Sequence, residues 1–555
     1  MSFNFLRRIF FVSVVLLMCV CSSIAQPKQA SMEQCFASKV WLPDLQDGRY
    51  RNPIIYADYS DPDVIRVGKE YYMTASSFNC TPGLPILHSR DMIHWTIIGH
   101  ALPKQYPVEY FNVPRHGDGC WAPCIRYHNE HFYIYWGDPD FGIYMVKASN
   151  PAGPWTEPVL VLEGKGLIDP SPLWDDDGKV WLVHGWAGSR AGVNSLLTVN
   201  QLSPDGSKAL DEGKHVFDGH DAHPTIEGPK FYKRDGYYYI FAPAGGVSTG
   251  WQLALRSKDV YGPYEEKIVL EQGGSETNGP HQGAWVETPE GKSWFYHFQD
   301  REAYGRIVHL QPMEWKDGWP VIGKDGDGDG IGEPVYYWEK PVKTNLETIC
   351  TPAEDDEFNS DRLGLQWQWH ANPMVTWYAL MRGSGYLRLF PMKLPEDQIN
   401  MWMSPNLLLQ KFPAPDFTAT TSISWNVDTI AMNGKRAGLL VMGNDYAGLV
   451  IYRDNEGYKI SQIECLKAKS GASEKMLDEH RLPGNEVFMR VKVESPLGWC
   501  RFSWSTDGTH FYSIGKPFQA QPDTWIGAKV GVFSSSSDNK KRGGFADIDW
   551  FRITK

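Results

Sequence analysis

SDPDVIRVGKEYYM, residues 60–73, decides the fold. An acid, Asp61, leads a short apolar run; a polar turn, VGKE, follows, and then a second run begins. Period-2 runs joined by Gly- and Asp-bearing turns are hairpin signals. The pattern returns in IDPSPLWDDDGKVWL (168–182), led by Asp169, and in IEGPKFYKRDGYYYI (226–240), led by Glu227. WAPCIRYHNEHFYIYW (121–136) and HQGAWVETPEGKSWFYHF (281–298) repeat it without the leading acid. A recurrence at roughly fifty to sixty residues is the spacing of a β-propeller with several short strands per blade. In a radial fold one repeat position converges on one axis. The reading therefore puts Asp61, Asp169 and Glu227 at equivalent positions, facing each other across the mouth of a central channel.

Each unit also closes alike, in SRDMIHWTIIG, ASNPAGPWTEPVL, VNQLSPDGSKAL, RSKDVYGPYEEK and LQPMEWKDGWPVIG. Recurring Ser/Asn, Asp, Gly-Pro and Trp/Tyr mark a turn before an edge strand. Two sandwiches in place of a propeller would not hold five leads in register. From Asp355 to Lys555 the chain alternates apolar and polar without that period, with turn signals every eight to twelve residues, which predicts an antiparallel β-sandwich. The expected architecture is all-β: a five-bladed propeller over 26–340, a linker over 341–354, and a concanavalin-like sandwich over 355–555.

The first 25 residues read as a signal peptide. Arg7 and Arg8 precede the apolar Ile9–Val20, then Ser23-Ile24-Ala25 supplies a small-x-small cleavage site. The expected destination is the periplasm or the exterior. Cys19 and Cys21 offer a lipoprotein alternative, disfavoured by Met18 and Val20 where a small residue is wanted. The apolar run is too short to span a bilayer. A net charge of −12 and no Lys/Arg-rich run argue against nucleic acid and anionic membranes as partners. Oligomeric state is not written in the sequence. Seven cysteines remain after cleavage, an odd and sparse set that is no disulfide framework, although export permits a bridge. Cys120 and Cys124 lack the second ligand pair a zinc site needs and read as small buried residues. GKDGDGDGIGEP (323–334) imitates the start of a calcium loop at Asp325, Asp327 and Asp329. Tyr336 stands where its bidentate Glu belongs, so an exposed hairpin loop is the better reading and a weak cation site the other.

Hydrolysis of a glycosidic bond needs a protonated carboxylic acid for the leaving oxygen and an ionised carboxylate for the anomeric carbon or water. A third acid near one of them separates the two protonation states. The runs YADYSDPDVIRVGKEYYMTASSF, WAPCIRYH, LIDPSPLWDDDGKVWLVHG, TIEGPKFYKRDGYYYIFAPAGG, GPHQGAWVE and GRIVHLQPMEW resemble glycoside hydrolase family 43, the β-xylosidases and α-L-arabinofuranosidases built on five-bladed propellers. DDEFNSDRLGLQWQWHANP and GGFADIDWFRI resemble the C-terminal domain of its xylosidase-type members. The resemblance implies an inverting exo-glycosidase acting on plant cell-wall oligo- or polysaccharide. Asp61 matches the general base, Glu227 the general acid, and Asp169 the acid that raises and orients Glu227. Inversion calls for roughly 6.5–9.5 Å between the base and acid carboxyls.

Arg306 matches a family arginine that reaches the site; an inter-blade salt bridge is its other reading. His281 matches a channel histidine that in some members binds calcium or its water shell, and a packed core histidine is equally in keeping. Trp121 and Phe78 are candidates for walls that stack on a pentose, or for ordinary packing. Asp58 and Asp63 read as one turn-stabilising and one outward-facing acid. No organic cofactor is implied, and a structural calcium is left open. SSFNCTPGLPILHS tilts the specificity reading slightly toward α-L-arabinofuranosides, by placing Asn79-Cys80 beside the pocket. A β-xylosidase, an endo-arabinanase and a non-catalytic sugar-binding protein follow in that order. Retaining five-bladed fructosidases are disfavoured, since no WMNDPNG-type motif is present.

Overall fold

The computed structural model describes residues 36–342, 349–381, 383–396, 398–430, 432–537 and 543–555. The expected signal peptide lies outside the described residues. Five four-stranded antiparallel sheets follow one another, each in the strand order of the chain. The first blade is Asp63–Val67, Glu70–Thr74, Gly83–Ser89 and Thr96–Leu102. The other four open on the strands Trp121–His128, Leu167–Trp174, Lys230–Arg234 and His281–Glu287. All five sequence repeats thus begin the innermost strand of a blade. Their first hairpins turn as the sequence demands, with Gly68 at φ +65° in blade 1. Blade 2 has no glycine there, and Asn129 and Glu130 take φ +45° and +60° instead, the twist of a primed turn.

Large side chains fill the seams between blades. Tyr71, Met73 and Trp95 of blade 1 pack with Trp294, Tyr296 and Leu310 of blade 5 and so close the ring. Asn52 reinforces that seam: its side chain donates to the carbonyls of Leu310 and Val335, both at 2.8 Å, and accepts from the Leu310 amide. Beyond the propeller, two eight-stranded sheets stack as a sandwich. Among the described residues the only α-helix is the single turn Gly188–Ala191, and no helix is long and apolar enough to cross a membrane. Cys350 is disulfide-bonded, whereas Cys80, Cys120, Cys124, Cys465 and Cys500 are free and buried.

The largest apolar core belongs to both halves. Tyr56, Ala303, Tyr304 and Ile307 of the propeller pack in one cluster with Trp369, Phe412 and Ala528 of the sandwich. Burial of aromatic surface at roughly 25 cal/mol per Å² makes such a seam cohesive. The 323–334 stretch is a loop closed by antiparallel pairing of Lys324 with Glu333. Within it, carboxylate oxygens of Asp325, Asp327 and Asp329 lie within 4.8 Å of one another. Each also caps a backbone amide of its own loop, which accounts for the Asp spacing without an ion.

Candidate active site

Every inner strand carries a bulge at the same place. Ile168 pairs with Gly185 and Ser171 with Val183, three steps against two. Trp121 to Cys124 and His281 to Ala284 repeat that offset. In blades 1 and 4 it runs from Ser60 to Asp63 and from Glu227 to Lys230. The extra residue turns left-handed: Asp61 at φ +55°, Ala122 at +27°, Asp169 at +57°, Gly228 at +57° and Gln282 at +37°. Such values are uncommon outside glycine and gather where side chains must be re-aimed.

This register corrects the expectation that three acids share one repeat position. Asp61 and Asp169 do. In blade 4 that position is Gly228, and Glu227 stands one residue earlier, level with Ser60, Trp121, Ile168 and His281. The reason is visible in the chain. Blades 1 to 4 read D-P, A-P, D-P and G-P at the bulge, and the prolines, not the acids, are in register.

The three carboxylates nevertheless line one cavity of about 100 Å³, with Phe78, Trp121, Gln282, Arg306 and Trp525 among its walls. Asp61 is 3 % exposed and fully engaged as an acceptor. Its Oδ2 takes the Ser60 hydroxyl at 2.7 Å and the Ser76 hydroxyl at 2.5 Å; its Oδ1 takes the Arg306 guanidinium at 3.3 Å. Asp169 is buried and accepts from the Gly228 amide at 2.7 Å and the Gln282 side chain at 3.3 Å. Glu227 differs. Its side chain is 30 % exposed, it makes no hydrogen bond among the described residues, and its Oε1 lies 3.7 Å from His281 Nε2. Burial, then the Asp169 charge, pushes its carboxyl well above the ordinary glutamate range, against the pull of Arg306. Asp169 is raised as well, by burial and then by Asp61. Three acids around one small cavity cannot all ionise cheaply.

Arg306 is 9 % exposed and also donates to Ser60 Oγ at 2.9 Å, with its guanidinium over the Phe298 ring at 4.8 Å. Trp121 and Phe78 stand edge to face at 6.2 Å as adjoining walls. His281 is fully buried, and burial together with Arg306 lowers it to about 3, a neutral ring. Calcium takes six to eight oxygen ligands. Both His281 ring nitrogens are buried without a hydrogen-bond partner among the described residues, and the carboxylate paired with them is Glu227 at 3.7 Å, so a calcium there would draw its remaining ligands from water, and no step is routed through one.

Asp58 and Asp63 are both buried, which corrects the outward-facing reading. Asp63 pairs with Arg126 of blade 2 at 2.7 Å. Asp58 accepts from the Arg306 amide at 2.8 Å and from the Gly527 amide of the sandwich at 3.0 Å. Asn79 and Cys80 bond to the sandwich: Asn79 donates to the His370 carbonyl at 2.8 Å, and Lys529 Nζ lies 2.9 Å from Cys80 Sγ. Cys80 packs behind the cavity walls Phe78 and Trp121 without lining the cavity itself.

Sequence reasoning missed Gln282 and Trp525. Gln282 was findable as the blade-5 member of the bulge series. Trp525 was not, because it arrives from the sandwich, in the turn between Phe518–Gln519 and Lys529–Ser536.

With this geometry in view, the likenesses to known proteins take on meaning. The model of glycosyl hydrolases family 43 matches residues 50–320, and that of the β-xylosidase C-terminal concanavalin A-like domain matches residues 355–554. A candidate β-xylosidase of Xylanibacter ruminicola is 40% identical over 90% of this chain and 88% of its own. A β-xylosidase of Formosa agariphila is 33% identical over 99% and 98%. A non-reducing-end α-L-arabinofuranosidase of Bacteroides ovatus is 29% identical over 92% and 96%. A five-bladed propeller with three acids at its mouth, a concanavalin-like partner domain and these matches make the chain a glycoside hydrolase belonging to family 43.

Proposed function

We propose that this enzyme removes terminal pentose units with inversion, and that β-D-xylosides are its preferred substrates. Glu227 is the general acid: its carboxyl is raised well above the ordinary glutamate range and makes no hydrogen bond among the described residues, so it holds a proton it can give to the leaving oxygen. Asp61, an acceptor held by two hydroxyls and a guanidinium, is the base that takes a proton from the attacking water. Burial first, and then the charge of Asp169, keeps Glu227 protonated. The contrast between the engaged Asp61 and the unengaged Glu227 in one cavity carries the reading. Trp525, carried in from the sandwich, is one wall of the cavity, and the exo-acting reading takes it as the barrier beyond the terminal sugar.

The preference for xylosides rests on the two relatives named β-xylosidase. The α-L-arabinofuranosidase relative keeps the second reading open, and both pentosides ask for the same acids. Matched rates on nitrophenyl β-D-xylopyranoside and α-L-arabinofuranoside, then on xylobiose, separate the two. NMR of the first-formed anomer tests inversion; sugar released with its original configuration refutes the roles given to Asp61 and Glu227.

A further inference from the structure

The turn bearing Trp525 is fastened to the propeller by His116, in the connection between blades 1 and 2. His116 Nδ1 hydrogen-bonds the Asp523 carboxylate, and Nε2 meets the Trp402 carbonyl at 2.8 Å. The two side chains are 3% and 4% exposed. Both ring nitrogens thus face an acceptor, and the imidazole is held from two sides. That ring also lies flat on Trp402, 3.8 Å between centroids and 10° between planes. Asp523 in turn shapes its own loop: Oδ1 accepts from the Thr524 amide at 2.7 Å, and its amide donates to the Ile526 carbonyl at 2.9 Å. Between those anchors Trp525 takes φ +67°, which aims its ring at the cavity.

The next residue serves the opposite wall. The Gly117 carbonyl accepts from Trp121 Nε1 at 2.7 Å. Gly117 is left-handed at φ +84°, and a Cβ there would come within 2.5 Å of Thr524 Cγ2. One dipeptide thus touches both tryptophans, whose rings stand edge to face at 5.8 Å. None of the three acids is in contact with it.

We propose that His116 is a positioning residue: through Asp523 it seats Trp525, and with Gly117 it sets the two tryptophan walls as one unit that grips the sugar. The inference rests on the cavity being the substrate site. Its test is a double-mutant cycle in the full-length enzyme on xylobiose and nitrophenyl xyloside. Trp525→Ala is expected to raise KM about tenfold, in line with the loss of one aromatic contact. His116→Ala and Asp523→Asn are each expected to raise KM several-fold, with kcat within about twofold and the pH profile unmoved. His116→Gln, which can still donate, should recover part of the loss. On the Trp525→Ala background, His116→Ala should add almost nothing. If Trp525→Ala changes KM while His116→Ala and Asp523→Asn do not, or if the two losses multiply, the latch is refuted. If Trp525→Ala itself leaves KM unchanged, the wall on which the latch depends is refuted, whatever happens at Glu227. Should His116→Ala fail to fold, the isosteric Asp523→Asn decides the question alone.

Discussion

Glu227 and Asp169 both carry carboxyls raised above the values they would have in the unfolded chain. For such groups, the stability they contribute is whole below the unfolded carboxylate range near pH 4 and is lost as pH rises through the folded values. Glu227→Gln removes one of these costs. The variant should melt above the parent at pH 8–9 and level with it near pH 4, as followed by circular dichroism, while kcat on xylobiose falls by about 10³ or more. Asp169→Asn keeps an acceptor for the Gly228 amide but withdraws the charge that raises Glu227. Its alkaline limb should therefore move to lower pH, with kcat down by about 10–100-fold, read from a pH–rate profile. An unmoved limb would show that Asp169 does not set the acid. Asp61 and Asp169 were legible from the chain because D-P recurs at the bulge. Glu227 was legible as an acid but misplaced by one position, since its own lead, E-G-P, puts glycine before the proline.

At the scale of the element, the repeated bulge is what turns a row of inner strands into a site. It re-aims Asp61 and Asp169 inward, and in blade 4 it asks only for a residue that tolerates φ +57° without a side chain. A Cβ on Gly228 would lie 2.5 Å from Gln282 Cγ, the side chain that also donates to Asp169. Gly228→Ala should therefore lose about 1–3 kcal/mol in chemical denaturation and most of its activity, because the strain falls on two partners of the site at once. Equal stability and activity would mean the bulge relaxes freely. Strand and turn patterns announced the hairpins, but hydrogen-bond register is set between strands and is only implicit in a run of letters. Asp58 and Asp63 show the cost of reading a strand by alternation alone: both point into seams that only the assembled ring creates.

At the scale of the molecule, the two halves were readable one at a time, and what joins them was not. Tyr304 and Ile307 lie in a core with sandwich residues, and the Tyr304 hydroxyl donates to the Pro415 carbonyl at 2.8 Å. The Gln105 amide and carbonyl are both bonded to the side chain of Asn372, at 2.7 and 3.0 Å. Contacts between positions so distant in sequence leave no local pattern to detect. A chain ending at 354 should accordingly be insoluble or aggregate on gel filtration, with less than about 1% of parental kcat/KM in any soluble fraction, since it bares that apolar seam and lacks Trp525. A monomeric and active truncation would contradict this.

Asp58 ties the Gly527 amide to the amide of Arg306, whose guanidinium meets Asp61. A chimera that trades one relative's sandwich for another's would thereby import a foreign piece of the cavity wall, and with it a hand on Arg306. Sugar preference can thus drift through exchange of a domain that owns none of the reactive carboxylates, while the chemistry stays untouched.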